Sequence, residues 1–150
     1  MKKIVLAGLL AAGMGCARPT PKLEGTWTIV HSGAEASRIV SHETTFHPGG
    51  RYEGVAKSTT PNGAVMVQTD TGVWSLADGD KLTVRIDDLA WTFEGADAAN
   101  TRHWLDQLEP REKTQIRTMN NLFPITIAWK GEDEFSAIVE GKPVTSRRKK

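Results

Sequence analysis

Thr71-Gly72-Val73-Trp74-Ser75-Leu76-Ala77-Asp78-Gly79-Asp80-Lys81-Leu82-Thr83-Val84-Arg85-Ile86 reads as a strand, a turn and a second strand. Successive side chains of an extended chain point to opposite faces. Leu82, Val84 and Ile86 therefore share one face and Lys81, Thr83 and Arg85 the other, while Trp74 and Leu76 fall together in the preceding run. Asp78-Gly79-Asp80 supplies the residue types that a tight reversal needs. Period two on both arms, with one apolar face, predicts half-buried antiparallel strands.

The same grammar extends in both directions. Gly25-Thr26-Trp27-Thr28-Ile29-Val30 sends Trp27 and Ile29 one way and Thr26 and Thr28 the other. Residues 41–47 lead into Pro48-Gly49-Gly50 and return as 51–57, so Phe46 and Tyr52 flank a glycine-rich hairpin. Pro61-Asn62-Gly63 marks another turn, followed by a run over 64–69. Beyond the opening hairpin, Leu89, Trp91 and Phe93 continue an apolar face in a further strand. Ile125, Ile127 and Trp129 form another, a turn follows at 131–133, then Phe135, Ala137 and Val139, and a last short run over 144–147. Glycines 49, 50, 54, 63 and 72 read as turn or bend residues.

Only one stretch breaks this pattern. Trp104, Leu105, Leu108, Ile116 and Met119 recur at helical spacings among strong helix formers, predicting a helical insertion near residues 101–121. Asn100 or Thr101 caps its start in this reading, Pro110 splits it, and Asn120-Asn121 stops it. The fold class is thus all-β and antiparallel, with about eight to ten strands and one helical insertion.

The amino end carries a different message. Met1-Lys2-Lys3, an apolar run from Ile4 to Ala12, and Gly13-Met14-Gly15 before the chain's only cysteine, Cys16, predict an export signal over residues 1–15. The run is too short to span a bilayer stably. It resembles a bacterial lipoprotein signal, with Gly13 where that pattern has leucine, and the resemblance implies cleavage before Cys16 and a lipid on its thiol. Ordinary secretion, with cleavage after Gly13 or Ala17, stays open. An exported chain with one unpaired thiol favours lipidation. Ala17 rather than aspartate after the cysteine implies a lipoprotein of the outer membrane, facing the periplasm or the cell surface. Residues 16–22, with Pro19 and Pro21, read as an extended tether, and residues 23–150 as one domain.

Leu23-x-Gly25-Thr26-Trp27, Phe46-x-x-Gly49-Gly50-x-Tyr52, Gly72-x-Trp74 with Asp78-Gly79-Asp80-Lys81-Leu82, and a basic residue in the last strand together resemble small bacterial lipocalin-like proteins. The resemblance implies an up-and-down barrel over 23–150. It places Gly25 and Trp27 at the closed base, with Arg147 or its neighbour Arg148 packed on the indole, Arg147 being the partner first expected. A barrel of this size holds one small ligand or is filled by its own side chains. Phe46, Tyr52, Trp74, Trp91, Phe93 and Trp129 are the candidate ligand-binding residues, each with core packing as the alternative.

Much chemistry is excluded. A net charge of +1 on 150 residues falls slightly acidic once Lys2 and Lys3 are removed, which argues against a nucleic-acid partner. The basic run Arg147-Arg148-Lys149-Lys150 reads as a frayed, solvated tail, with anionic lipid heads as its alternative contact. There is no Gly-x-Ser-x-Gly elbow, phosphate loop or His-Glu-x-x-His, and no cofactor or metal motif. His42 and His47 fall on opposite faces of their strand and do not chelate one ion, whereas His42 and Thr44 share a face. Glu132-Asp133-Glu134 reads as a hairpin tip and Asp87-Asp88 as strand-end carboxylates. The expectation is a non-enzymatic, membrane-anchored carrier of a small apolar or amphipathic ligand. The alternative is an envelope interaction module whose barrel is filled and whose partner is another protein.

Overall fold

The computed structural model describes residues 22–150. The predicted signal 1–15, Cys16 and all of the tether but Lys22 lie outside the described residues. Eight antiparallel strands close into one barrel in chain order: β1 (Gly25–Val30), β2 (Ile39–Phe46), β3 (Arg51–Thr59), β4 (Val65–Ala77), β5 (Lys81–Glu94), β6 (Ile125–Trp129), β7 (Glu134–Val139) and β8 (Lys142–Arg148), with β8 returning to pair with β1.

Ten runs in the sequence become eight strands because β4 and β5 each absorb two. Their ladder passes from Thr71↔Asp88 to Gly72↔Ile86, leaving Asp87 as an extra residue in β5. Such a bulge flips the side-chain phase. Leu82, Val84 and Ile86 on one side of it, and Leu89 and Trp91 on the other, are consequently all buried. Gly72 lies at this bulge inside a strand, not in the turn or bend expected of it. A Cβ there would collide with the Arg85 carbonyl, so the close approach of the two backbones requires glycine.

The helical insertion comprises α1 (Ala98–Leu108), a 3-10 turn at Glu109–Arg111 and α2 (Glu112–Asn120), with Pro110 at the break. It starts earlier than expected because Asp97, not Asn100 or Thr101, is the cap: its carboxylate accepts the Asn100 N–H at 2.7 Å. Trp104 of α1 packs on Phe93 of β5, ring centroids 4.8 Å apart. The α2 end has a more particular task. The ladder between β5 and β6 pairs Lys81 with Thr126 and Leu82 with Ile125, while β5 runs on to Glu94. Asn120 meets this edge as a strand would, accepting the Ile86 N–H at 2.6 Å and donating to the Ile86 carbonyl at 3.0 Å.

The barrel base is built on Trp27, whose relative exposure is 0%. Its indole N–H donates to the Leu23 carbonyl at 2.7 Å, and its ring packs 4.8 Å from Phe135 and 6.1 Å from Trp129. The cation over the indole is Arg148, 4.3 Å from the ring centroid. Arg148 also donates to the carbonyls of Lys22 and Glu24 and pairs with Asp133 at 3.0 Å. Gly25, at φ +121, leaves the space that this guanidinium occupies. Arg147, the partner first expected, is one residue out of phase and instead meets Glu134 at 2.9 Å on the outside. The basic end is likewise not a frayed tail. Pairing with β1 carries the strand through Arg148, and Lys149 donates its backbone N–H to Thr26 at 2.8 Å and reaches Glu43 with its ammonium at 2.7 Å.

Candidate functional site: a polar band in an apolar cavity

Above the Trp27 base the barrel holds a partly open cavity of about 220 Å³. The inward phase of β5 contributes Leu82, Val84 and Ile86 to its wall, and that of β7 contributes Phe135, Ala137 and Val139. Met119, Leu122 and Phe123 at the end of the helical insertion complete it. Against this apolar lining stands a small polar group from β2, β3 and β4.

Strand register explains how that group assembles. Thr44 of β2 lies opposite Gly54 of β3, and Gly54 opposite Asp70 of β4. A Cβ at Gly54 would fall 2.6 Å from Asp70 Oδ2 and 2.8 Å from the Tyr52 hydroxyl. The missing side chain therefore makes the room in which these two groups meet, and this second mid-strand glycine is also not a bend. In the adjacent layer His42 faces Ala56, Ala56 faces Gln68, and Gln68 faces Trp91. Gln68 Oε1 accepts from Trp91 Nε1 at 3.3 Å and from Gln115 Nε2 of α2 at 3.1 Å.

Asp70 is only 3% exposed. Burial pushes its carboxyl above the usual carboxylate range, and hydrogen bonds from Tyr52 and Gln68 pull partly the other way. Its Oδ2 has no hydrogen-bond partner. Tyr52 is held well above the ordinary phenol value by burial first and then by the charge and hydrogen bond of Asp70. His42 is pushed down to about 4 by burial and then by His31. His31 Nε2 lies 2.8 Å from His42 Nδ1, with the rings stacked at 5.1 Å, so one nitrogen donates and the other accepts.

The residues expected to bind ligand divide into two sets. Phe46 and Tyr52 line the cavity. Trp74 does not: it packs edge-on against Phe46 at 5.4 Å and donates to the His47 carbonyl at 3.0 Å. Trp129 belongs to the base, donating to the Gly79 carbonyl at 2.8 Å and packing 5.5 Å from Phe135. Trp91 is buried and tied to Gln68, and Phe93 holds Trp104 of α1. His42 and Thr44 share a face as read from the sequence, and the structure turns that face inward, while His47 pairs with Glu53 at 3.2 Å at the hairpin.

Asp70 and Gln68 were missed by sequence reasoning, as was the contact between His31 and His42. The signal for Asp70 was present. Counting back by twos from Trp74 passes through Gly72, Asp70 and Gln68, which places an aspartate on an inward face; breaking the run at Asp70 discarded that phase.

No protein-family model and no curated protein matches this chain. Among solved structures it is similar to a protein from Burkholderia xenovorans determined by NMR, at 12% identity and a TM-score of 0.40, over 84% of this chain and 82% of that one.

Proposed function

We propose that the protein is a carrier of the lipocalin-like type, exported and held in the bacterial cell envelope by a lipid on Cys16, which takes a small apolar or amphipathic molecule into its barrel. The observation that carries this reading is the cavity of about 220 Å³, with apolar walls and one polar band. Drug-sized sites span roughly 300–1,000 Å³, so the occupant is smaller than those. Export and anchoring rest on residues 1–16 of the sequence, and the outer membrane on Ala17. Binding is preferred to catalysis because no reaction-specific motif accompanies the buried polar group.

Native mass spectrometry of the chain purified gently from membranes of its own or a closely related host tests the reading. A reproducible small molecule at one per chain is the expected result. An empty barrel that retains a stoichiometric protein partner would replace it with the interaction reading.

A further inference from the structure

We propose that the molecule carried in the barrel bears a protonated amine, which docks on Asp70. The assignment rests on the carrier reading and deepens it. Three observations converge. First, Asp70 is 3% exposed, lines the cavity, and has an Oδ2 without a partner. Buried acceptors are nearly always satisfied, so this oxygen is a receptor for a donor. Second, among the described residues lining the cavity there is no lysine or arginine. The imidazoles of His31 and His42 are hydrogen-bonded to each other, and His42 is neutral above about pH 4. Among the described lining residues Asp70 is thus the one acid, and the bases are the two imidazoles paired with each other. Third, the Tyr52 hydroxyl converges with Asp70 on the space that Gly54 leaves open, and Thr44 adds a hydroxyl on the other side of Gly54.

A ligand carboxylate would bring a second negative charge beside Asp70, and an alcohol would satisfy Oδ2 with one neutral donor. A primary ammonium offers three N–H donors to Asp70, Tyr52 and Thr44, and restores the charged form of a carboxyl that burial disfavours. The short apolar body then lies along Leu82, Ile86 and Phe135.

Calorimetric titration of the full chain with hexylamine, 1-hexanol and hexanoate tests this, since the three share one apolar body. Hexylamine is expected to bind at least about tenfold more tightly than 1-hexanol, with hexanoate weakest. Asp70→Asn should erase the amine advantage and leave 1-hexanol binding intact. Equal or tighter binding of 1-hexanol or hexanoate would overturn the amine assignment alone, as would an amine preference that survives in folded Asp70→Asn. Failure of all three ligands to bind would overturn the carrier reading and this assignment with it. If Asp70→Asn does not fold, the ranking in the unaltered chain decides.

Discussion

The two levels of the barrel interior treat their polar groups differently. At the base, Trp27, Trp74 and Trp129 each give the indole N–H to a backbone carbonyl, and Arg148 is bound by three carbonyls and Asp133. One buried oxygen is left over beside them, Oδ1 of Asp80 in the turn whose Gly79 carbonyl takes the Trp129 N–H. In the cavity above, Asp70 keeps an oxygen without a partner and His42 is held neutral. Large aromatics with satisfied polar edges close and stabilise a barrel, whereas an unsatisfied buried acceptor carries a cost that stability alone does not explain. Asp70, unlike Asp80, lines the cavity, and on the carrier reading proposed above ligand contact falls to the polar band and closure of the base to the tryptophans.

The comparison breaks first at Trp27. Trp27→Ala removes a fully buried indole and its cation, and should lower unfolding free energy by about 3–5 kcal/mol in denaturant titration. A loss under about 1 kcal/mol would mean the base does not depend on the indole.

Acid tests the upper level. The folded pKa of His42 lies at about 4 against 6.5 for the ordinary side chain. Below pH 6.5 the unfolded chain therefore takes up a proton that the native state refuses until about pH 4, and stability falls as pH falls through that window. The loss amounts to as much as about 3 kcal/mol. Asp70 acts in the opposite sense: its raised pKa favours the native state at low pH, a contribution lost as pH climbs past the unfolded value of 3.8. Denaturant midpoints at pH 7 and 5 should differ in the parent chain and converge in His42→Leu. Equal pH slopes in the two proteins would show that His42 titrates normally.

The smallest effects distinguish neighbouring arginines. Arg148→Met should cost about 0.5–2 kcal/mol through the lost cation over Trp27, with more from the freed carbonyls. Arg147→Met, which removes an exposed pair with Glu134, should cost less than about 1 kcal/mol in the same melting experiment. Equal losses would erase the distinction between inward and outward basic residues at the end of β8.

These residues also show how far the sequence could be read. Clean alternation over 81–86, glycine-rich turns and the shift to helical spacing after Asn100 made the antiparallel all-β fold and its insertion legible, while the barrel came with the lipocalin-like resemblance. The strand count was not, because one extra residue at Asp87 moves the apolar set of β5 from even to odd positions, and a phase break resembles a strand end. The same logic hid Asp70, an acid in the middle of β4. It also made Arg147 and Arg148 equivalent in sequence, although a one-residue step decides which faces Trp27. The aromatic residues were conspicuous, yet size and apolarity do not reveal whether a ring lines a cavity or closes a base.

Filling the cavity tests the central claim most directly. Ala137 is inward-facing, buried and part of the cavity wall, so Ala137→Phe places a ring where the carried molecule is held to lie. Titration of 1-hexanol into the parent chain should give one site, and in a folded Ala137→Phe variant that site should be lost. Unchanged affinity in the filled barrel would contradict the account, because the binding would then lie outside the cavity.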